Sequence, residues 1–237
     1  APATFGAGSN QPQWLPWEGN AGAYFPGVVG NYIQCPHAAA QDITGDIEIV
    51  ARVSRPNYGN GLYSGIVAKF DGPSGVGRAY SLRFHPTAGR LEFLWSDSGT
   101  SAVRQLVGPT GFPLLNGQTY WFKCTFDADT GAGCEARFFY ALDQGTEPTT
   151  WILGDVTTSA TAATIGTGTF PLVIGSDATA LRTIDGSIHR VIVRNGIGGT
   201  PVADFDASLC GQSGYTDALG NAWAITRATS GRKAVVQ

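Results

Sequence analysis

Period two runs through this chain more insistently than any other pattern, and it restricts the fold to antiparallel sheets. In "DIEIVARVS", Ile47, Ile49, Ala51 and Val53 alternate with Asp46, Glu48 and Arg52. "AYSLRF" sets Tyr80, Leu82 and Phe84 against Ser81 and Arg83, and "RLEFLW" sets Leu91, Phe93 and Trp95 against Arg90 and Glu92. Successive strand side chains point to opposite faces, so runs of this kind are half-buried antiparallel strands. Further strands are expected in "TYWFKCTF" (119–126), "CEARFFYAL" (134–142), "TWIL", "FPLVIG" and "SIHRVIV". Turn phrases such as "DGPSG", "HPTAGR", "LLNG" and "DADTG" separate them. "PHAAAQDI" (36–43) offers one short helical turn and nothing longer.

Charge removes whole classes of function. Only 14% of the 237 residues are charged, against a typical ~25%, and the formal net charge is −3. No basic stripe is present to neutralise phosphates, so nucleic acid is not expected as a partner. No stretch approaches the ~20 apolar residues of a membrane span, and no membrane partner is expected. The opening "APATFGAGSNQPQW" lacks the basic and apolar regions of a signal peptide. The chain has no Met and opens on Ala. That fits a cytosolic product trimmed of its initiator, although a cleaved signal peptide leaves the same trace.

Residues 1–20 read as an N-terminal arm, rich in Gly, Pro, Asn and Gln and carrying Trp14 and Trp17 on either side of Pro16. A proline-stiffened segment with two large apolar side chains suits a partner's groove, which makes Trp14 and Trp17 the candidate partner-binding residues. Residues 21–237 read as a single domain, because no linker splits them, with "NAWAIT" and "KAVVQ" as short closing strands. Cys35, Cys124, Cys134 and Cys210 show no zinc spacing and are expected to be free thiols, with no metal bound. Cys124 and Cys134 flank a hairpin loop. A register with Cys124 facing Cys134 would set Lys123 against Glu135, Trp121 against Arg137 and Tyr120 against Phe138.

These phrases, taken in order, resemble the laminin G-like, concanavalin A-like jelly rolls. "AYFPGVVGNYIQCPHAAAQDITGDIEIVARV", "GIVAKF", "YSLRFHPTAGRLEFLWS", "LLNGQTYWFKCTFD" and "FPLVIGS…IDGSIHRVIVRNG" follow that family's strand order over about residues 21–206. The resemblance implies an all-β sandwich of two antiparallel sheets. The ending, "VRNGIGGTPVADFD" and then "YTDALGNAWAITRATSGRKAVV", is similar to jelly-roll domains of minor tail and other virion proteins of actinobacterial phages. It implies a non-enzymatic virion structural protein, assembled in the host cytoplasm. Its partners would be other phage virion proteins, further copies of itself and host cell-surface glycan.

Enzymes use the same architecture, so the catalytic residues have to be looked for one by one. Glucanases of this fold carry Glu-x-Asp-x-x-Glu on one strand face. Here Asp46-Ile47-Glu48 has no third carboxylate and reads as a solvated face. Alginate-lyase-like members use Gln-Ile-His, and in this chain Ser187 stands where the Gln would be, before Ile188 and His189. His189 therefore reads as structural or solvent-facing, and His37 and His85, in turn-like contexts, read the same way. No cofactor is expected. Calcium enters only through the resemblance, with Asp127, Asp129, Asp143, Asp177 and Asp185 as loop carboxylates that more often just shape turns. The alternative to a structural role is a glycan-binding module that stacks sugars on Trp121, Phe139 and Trp151. Trp121 and Phe139 are out of phase with Tyr120, Phe122, Phe138 and Tyr140, so they lie on the outer sheet face, which a loop or second sheet would otherwise cover.

Overall fold

A computed structural model describes residues 21–70, 77–87, 89–100, 102–177, 181–211, 213–229 and 233–236. The arm at 1–20, with Trp14 and Trp17, lies outside them.

In chain order the strands are β1 (Ala23–Pro26), β2 (Tyr32–Cys35), β3 (Ile47–Ser54), β4 (Ser64–Lys69), β5 (Tyr80–Phe84), β6 (Leu91–Trp95), β7 (Arg104–Val107) and β8 (Thr119–Asp127). They continue as β9 (Cys134–Leu142), β10 (Ile152–Ser159), β11 (Leu172–Ile174), β12 (Asp185–Asn195), β13 (Thr200–Asp206), β14 (Gly214–Thr216), β15 (Ala222–Thr226) and β16 (Val235–Val236). The expected turn in "PHAAAQDI" is a short 3-10 helix, Ala39–Gln41. One sheet runs β10-β9-β8-β3-β12-β1-β16, with β13 also paired to β12, and the other runs β14-β15-β2-β11-β4-β5-β6-β7. Every described pairing is antiparallel. The molecule is an all-β jelly-roll sandwich of two antiparallel sheets.

Alternation decides what lies between the sheets. Ile47, Ile49, Ala51 and Val53 of β3 and Phe122, Cys124 and Phe126 of β8 meet Leu82, Phe84, Leu91, Phe93 and Trp95 of the second sheet in one continuous core. Phe126 sits 4.7 Å from Phe93 and 4.8 Å from Trp95, ring centre to ring centre. Each fully buried side chain of this size contributes about 1.5–3 kcal/mol by leaving water. The closing strands form as expected, β15 on β2 and β16 on β1.

Two sequence expectations are corrected by the fold. The β8–β9 hairpin is tighter than Cys124 facing Cys134 requires: Asp127 opposes Glu135, Cys124 opposes Phe138, and Trp121 opposes Ala141. The turn tightens through nested bonds, Asp129 N–H to Asp127 and Gly131 N–H to Asp129. Gly133 has φ +135° and lies so close to the Ser159 carbonyl that a Cβ would come within 1.9 Å of it. The new register keeps the predicted faces, because each strand moves by an even number of residues. All four cysteines are free. The second correction concerns Glu48, expected on a solvated face: it is only 7% exposed, and every residue of β3 is buried.

Candidate functional site

The outer face of the first sheet holds the polar groups that the inner face excludes. From β3 it presents Glu48, Val50, Arg52 and Ser54, and across β12 these meet Arg194, Ile192, Arg190 and Ser187. The β12 register shifts between Ile188 and Arg190, so His189 is the extra residue of a bulge. A bulge re-aims a side chain without ending the sheet. His189 thereby joins this outer face, with its Nε2 3.3 Å from Ser54 Oγ and its Nδ1 2.9 Å from the Ala21 carbonyl.

The carbonyl can only accept, so Nδ1 carries the proton and Nε2 accepts from the Ser54 hydroxyl. The chain at 21–22 presses on the ring closely enough that a Cβ on Gly22 would lie 2.9 Å from the imidazole. Burial lowers the His189 pKa below 6.5, against the Ala21 bond, which favours the charged form. The imidazole is neutral at pH 7. Ser54 beside His189 has the order of a nucleophile and its base, but Ser54 is only 3% exposed and out of a substrate's reach.

The segment between β9 and β10 folds back over this face. It brings Asp143, whose Oδ1 accepts from Arg52 Nε at 2.8 Å and whose Oδ2 accepts from Arg52 Nη2 at 2.6 Å. Asp143 Oδ1 also accepts from Trp121 Nε1 at 3.2 Å and from Gly145 N–H at 3.0 Å. Burial alone would raise the Asp143 carboxyl, but the bonds from Arg52, Gly145 and Trp121 outweigh it and hold the pKa below 3.8. The same segment supplies Glu147, which shares Arg194 with Glu48 at 2.8 and 2.7 Å. On the far side Arg190 makes a two-point pair with Asp204, at 2.9 and 2.8 Å.

These groups surround a cleft of about 180 Å³, lined by Ala21, Arg52, Trp121, Gly145, His189, Arg190, Asp206 and Ser208. Its chemistry is donor-rich with one open acceptor. Arg52 and Arg190 each use Nε and Nη2 on a carboxylate, and Nη1 of each holds no hydrogen bond among the described residues. Asp206 Oδ1 accepts from Ser208 N–H and Ser208 Oγ, while Oδ2 is not engaged among the described residues.

Trp121 and Phe139 lie on the outer face, as their phase requires, with Trp151 packed beside them, but the three form no stacking platform. Trp121 is 1% exposed and packs with Val50, Ala141, Ile192 and Trp151, so it has no open ring surface for a sugar to stack on. Phe139 and Trp151 are half-buried and hold Lys123 Nζ between them, 4.7 and 4.6 Å from their ring centres. The segment after β9 covers part of this face through Asp143 and Glu147, which is the covering loop that the sequence set against sugar stacking. Of the five aspartates weighed as calcium ligands, four act in turns and ion pairs: Asp127 and Asp129 in the hairpin, Asp143 on Arg52, Asp177 on Arg182; Asp185 begins β12, where its carbonyl accepts from Arg55 Nε. Among the described residues no three metal-ligating side chains cluster.

The polar lining was not anticipated from the sequence. Arg52 and Asp143 stand 91 positions apart, and Arg190, Asp206 and Ser208 form no motif. The only local cue is an arginine at outward-phase positions of two strands that prove to be neighbours.

No family model matches the chain, and no curated protein matches it in sequence. Among solved structures it is similar to a native heptameric SAP-like pentraxin from Limulus polyphemus, with 11% identity, a TM-score of 0.48 and coverage of 75% of this chain and 76% of that one. It is also similar to the LG4-5 domains of the mouse laminin alpha1 chain, with 14% identity, a TM-score of 0.46 and coverage of 86% and 50%. A third is the CBM40 of a Ruminococcus gnavus IT-sialidase, with 14% identity, a TM-score of 0.45 and coverage of 71% and 89%.

Proposed function

We propose that this protein works by association, as a non-enzymatic bacteriophage virion protein of the minor-tail or virion-surface kind. The observation that carries the non-enzymatic part is the state of His189. Both ring nitrogens are engaged by Ala21 and Ser54, and the two arginines beside it are clamped by Asp143 and Asp204. The virion part is supported by the resemblance read in the ending, "VRNGIGGTPVADFD…DALGNAW", to jelly-roll domains of phage virion proteins.

Association also has a surface to use. Leu142, at the end of β9, and Ile152, Leu153 and Val156 of β10 are exposed, and β10 is an edge of its sheet. Exposed apolar side chains on an edge strand are a site for pairing with another chain, either a virion neighbour or a second copy. Mass spectrometry of purified virions tests the reading. The chain is expected in the particle; its absence, with glycan cleavage by the isolated protein, overturns the proposal. A second reading, attachment to host glycan, is favoured by one observation: a small polar cleft walled by Trp121, Arg52, Arg190 and Asp206.

A further inference from the structure

We infer that the cleft on the outer face of the first sheet binds one uncharged sugar ring through vicinal hydroxyls. The inference rests on the glycan reading and gives it a place and a ligand class.

Size comes first. A cleft of about 180 Å³ is smaller than the ~300 Å³ at which pockets for drug-sized ligands begin, so it admits one ring and not an extended chain. Hydrogen-bonding capacity comes next. Arg52, Arg190 and Asp206 all line the cleft, and Nη1 of each arginine and Oδ2 of the aspartate hold no hydrogen bond among the described residues. Asp206 is directly opposite Arg190 in the β12–β13 register, so acceptor and donor lie side by side. A hydroxyl both donates and accepts, and two neighbouring ring hydroxyls satisfy both groups at once. Because each guanidinium is already fixed by its two-point pair, little ordering is left to do on binding. Trp121 adds an apolar residue to the lining.

Charge then chooses between neutral and acidic sugars. Arg52 and Arg190 stand against the carboxylates of Asp143, Asp204 and Asp206, and His189 is neutral. The immediate surroundings therefore carry an excess negative charge, which opposes a uronate, a sialic acid or a phosphate. A bare cation meets the Nη1 donors and is disfavoured in turn. An uncharged polyol ring meets neither penalty.

The test uses the full chain and saturation-transfer NMR with methyl glycosides of glucose, galactose, mannose and N-acetylglucosamine, and with glucuronate and N-acetylneuraminate as acidic arms. At least one neutral glycoside is expected to bind in the millimolar range, as suits about a dozen heavy atoms, with neither acidic sugar binding more tightly. Arg190→Lys, which keeps the charge beside Asp204 but loses Nη1, and Asp206→Asn should each weaken binding at least ~5-fold at unchanged Tm. Preference for an acidic sugar overturns the inference. Neutral binding that survives both substitutions overturns it too, while leaving a glycan role elsewhere on the protein. No binding by any of the six, together with no retention on host cell-wall polysaccharide, overturns this inference and the glycan reading together.

Discussion

The two faces of the first sheet are made by the same strands, yet they are held together by different physics. Inward, β3, β8 and β12 present Ile, Val, Phe and Cys to a continuous apolar core. Outward, the same strands present Glu48, Arg52, Arg190 and Arg194 in a set of ion pairs, with Asp143 and Glu147 supplied by the segment after β9 and Asp204 by β13, while Lys123 lies against Phe139 and Trp151. The inner face gains by removing apolar area from water, and the polar atoms it does carry are bonded, as the Tyr120 hydroxyl is by Leu115 N–H. The outer face must satisfy each charge it covers, because an unpaired one would cost more than the packing returns. Stability is therefore spread evenly over the inner face and concentrated in a few partners on the outer one.

The largest effect that sharpens this contrast is Phe126→Ala. Phe126 is fully buried between Phe93 and Trp95, and truncation leaves a cavity facing both rings. A loss of about 3–5 kcal/mol in denaturant unfolding is expected. A loss under about 1 kcal/mol would mean the sheets close over the gap.

Asp143→Ala comes second and acts outward. It strands the Arg52 guanidinium and leaves Trp121 Nε1 without its acceptor. Both side chains of the pair keep a little solvent contact, 9% and 16%, so the cost should fall somewhat below the ~3–5 kcal/mol of a fully buried pair. The double variant Arg52→Met, Asp143→Leu should recover most of it, since an apolar pair removes the unmet charge. If the double variant is no better than the single one, the outer face depends on the ion pair itself.

The inner face was legible in the sequence and the outer face was not, for a physical reason. Alternation states which residues share a face, and Ile47, Ile49, Ala51 and Val53 need only an apolar surface opposite them, which any neighbouring strand supplies. Glu48 and Arg52 read as solvated because their partners, Arg194 and Asp143, come from distant strands and a loop. The phase of Trp121 and Phe139 was also legible. A cover by a loop or second sheet was expected, but not which segment supplies it, because "DQGTEPTTW" carries no sign of where it folds. The hairpin register failed by two residues per strand, set by turn bonds at Asp127 and Asp129 that leave no trace in the alternation.

Acid should separate the outer face from the inner one next. His189 titrates below 6.5 in the folded protein, whereas the unfolded chain takes up the proton near 6.5. Between these values the unfolded state binds more protons, so stability falls as pH falls from 6.5 and levels off once the folded imidazole protonates. The groups facing it are Ser54, the Ala21 carbonyl, Arg52 and Asp143. Asp143 acts in a lower window. Its carboxyl is held below 3.8, so its contribution is intact above 3.8 and is lost as pH falls through the lower folded value. Denaturation at pH 7 and pH 5 should show a drop for the wild type and a smaller one for His189→Gln. Equal drops would place the acid sensitivity elsewhere.

The smallest effect tests what the outer aromatics are for. On the inner face aromatic rings meet one another, as Phe84 meets Phe122 at 5.3 Å. On the outer face Phe139 and Trp151 close on a cation, Lys123, whose pKa burial lowers against the pull of Glu48 and Glu147. If those rings serve Lys123, their worth is a coupling and not a binding surface. A double-mutant cycle of Lys123→Met and Trp151→Leu should then give a favourable coupling of about 0.5–1 kcal/mol. The same Trp151→Leu variant should bind sugars as the wild type does, because Trp151 is not part of the cleft wall. Zero coupling together with lost sugar binding would move the glycan site from the cleft to the Phe139–Trp151 surface, and would show that the outer face displays its aromatics to solvent ligands instead of using them to shield a lysine.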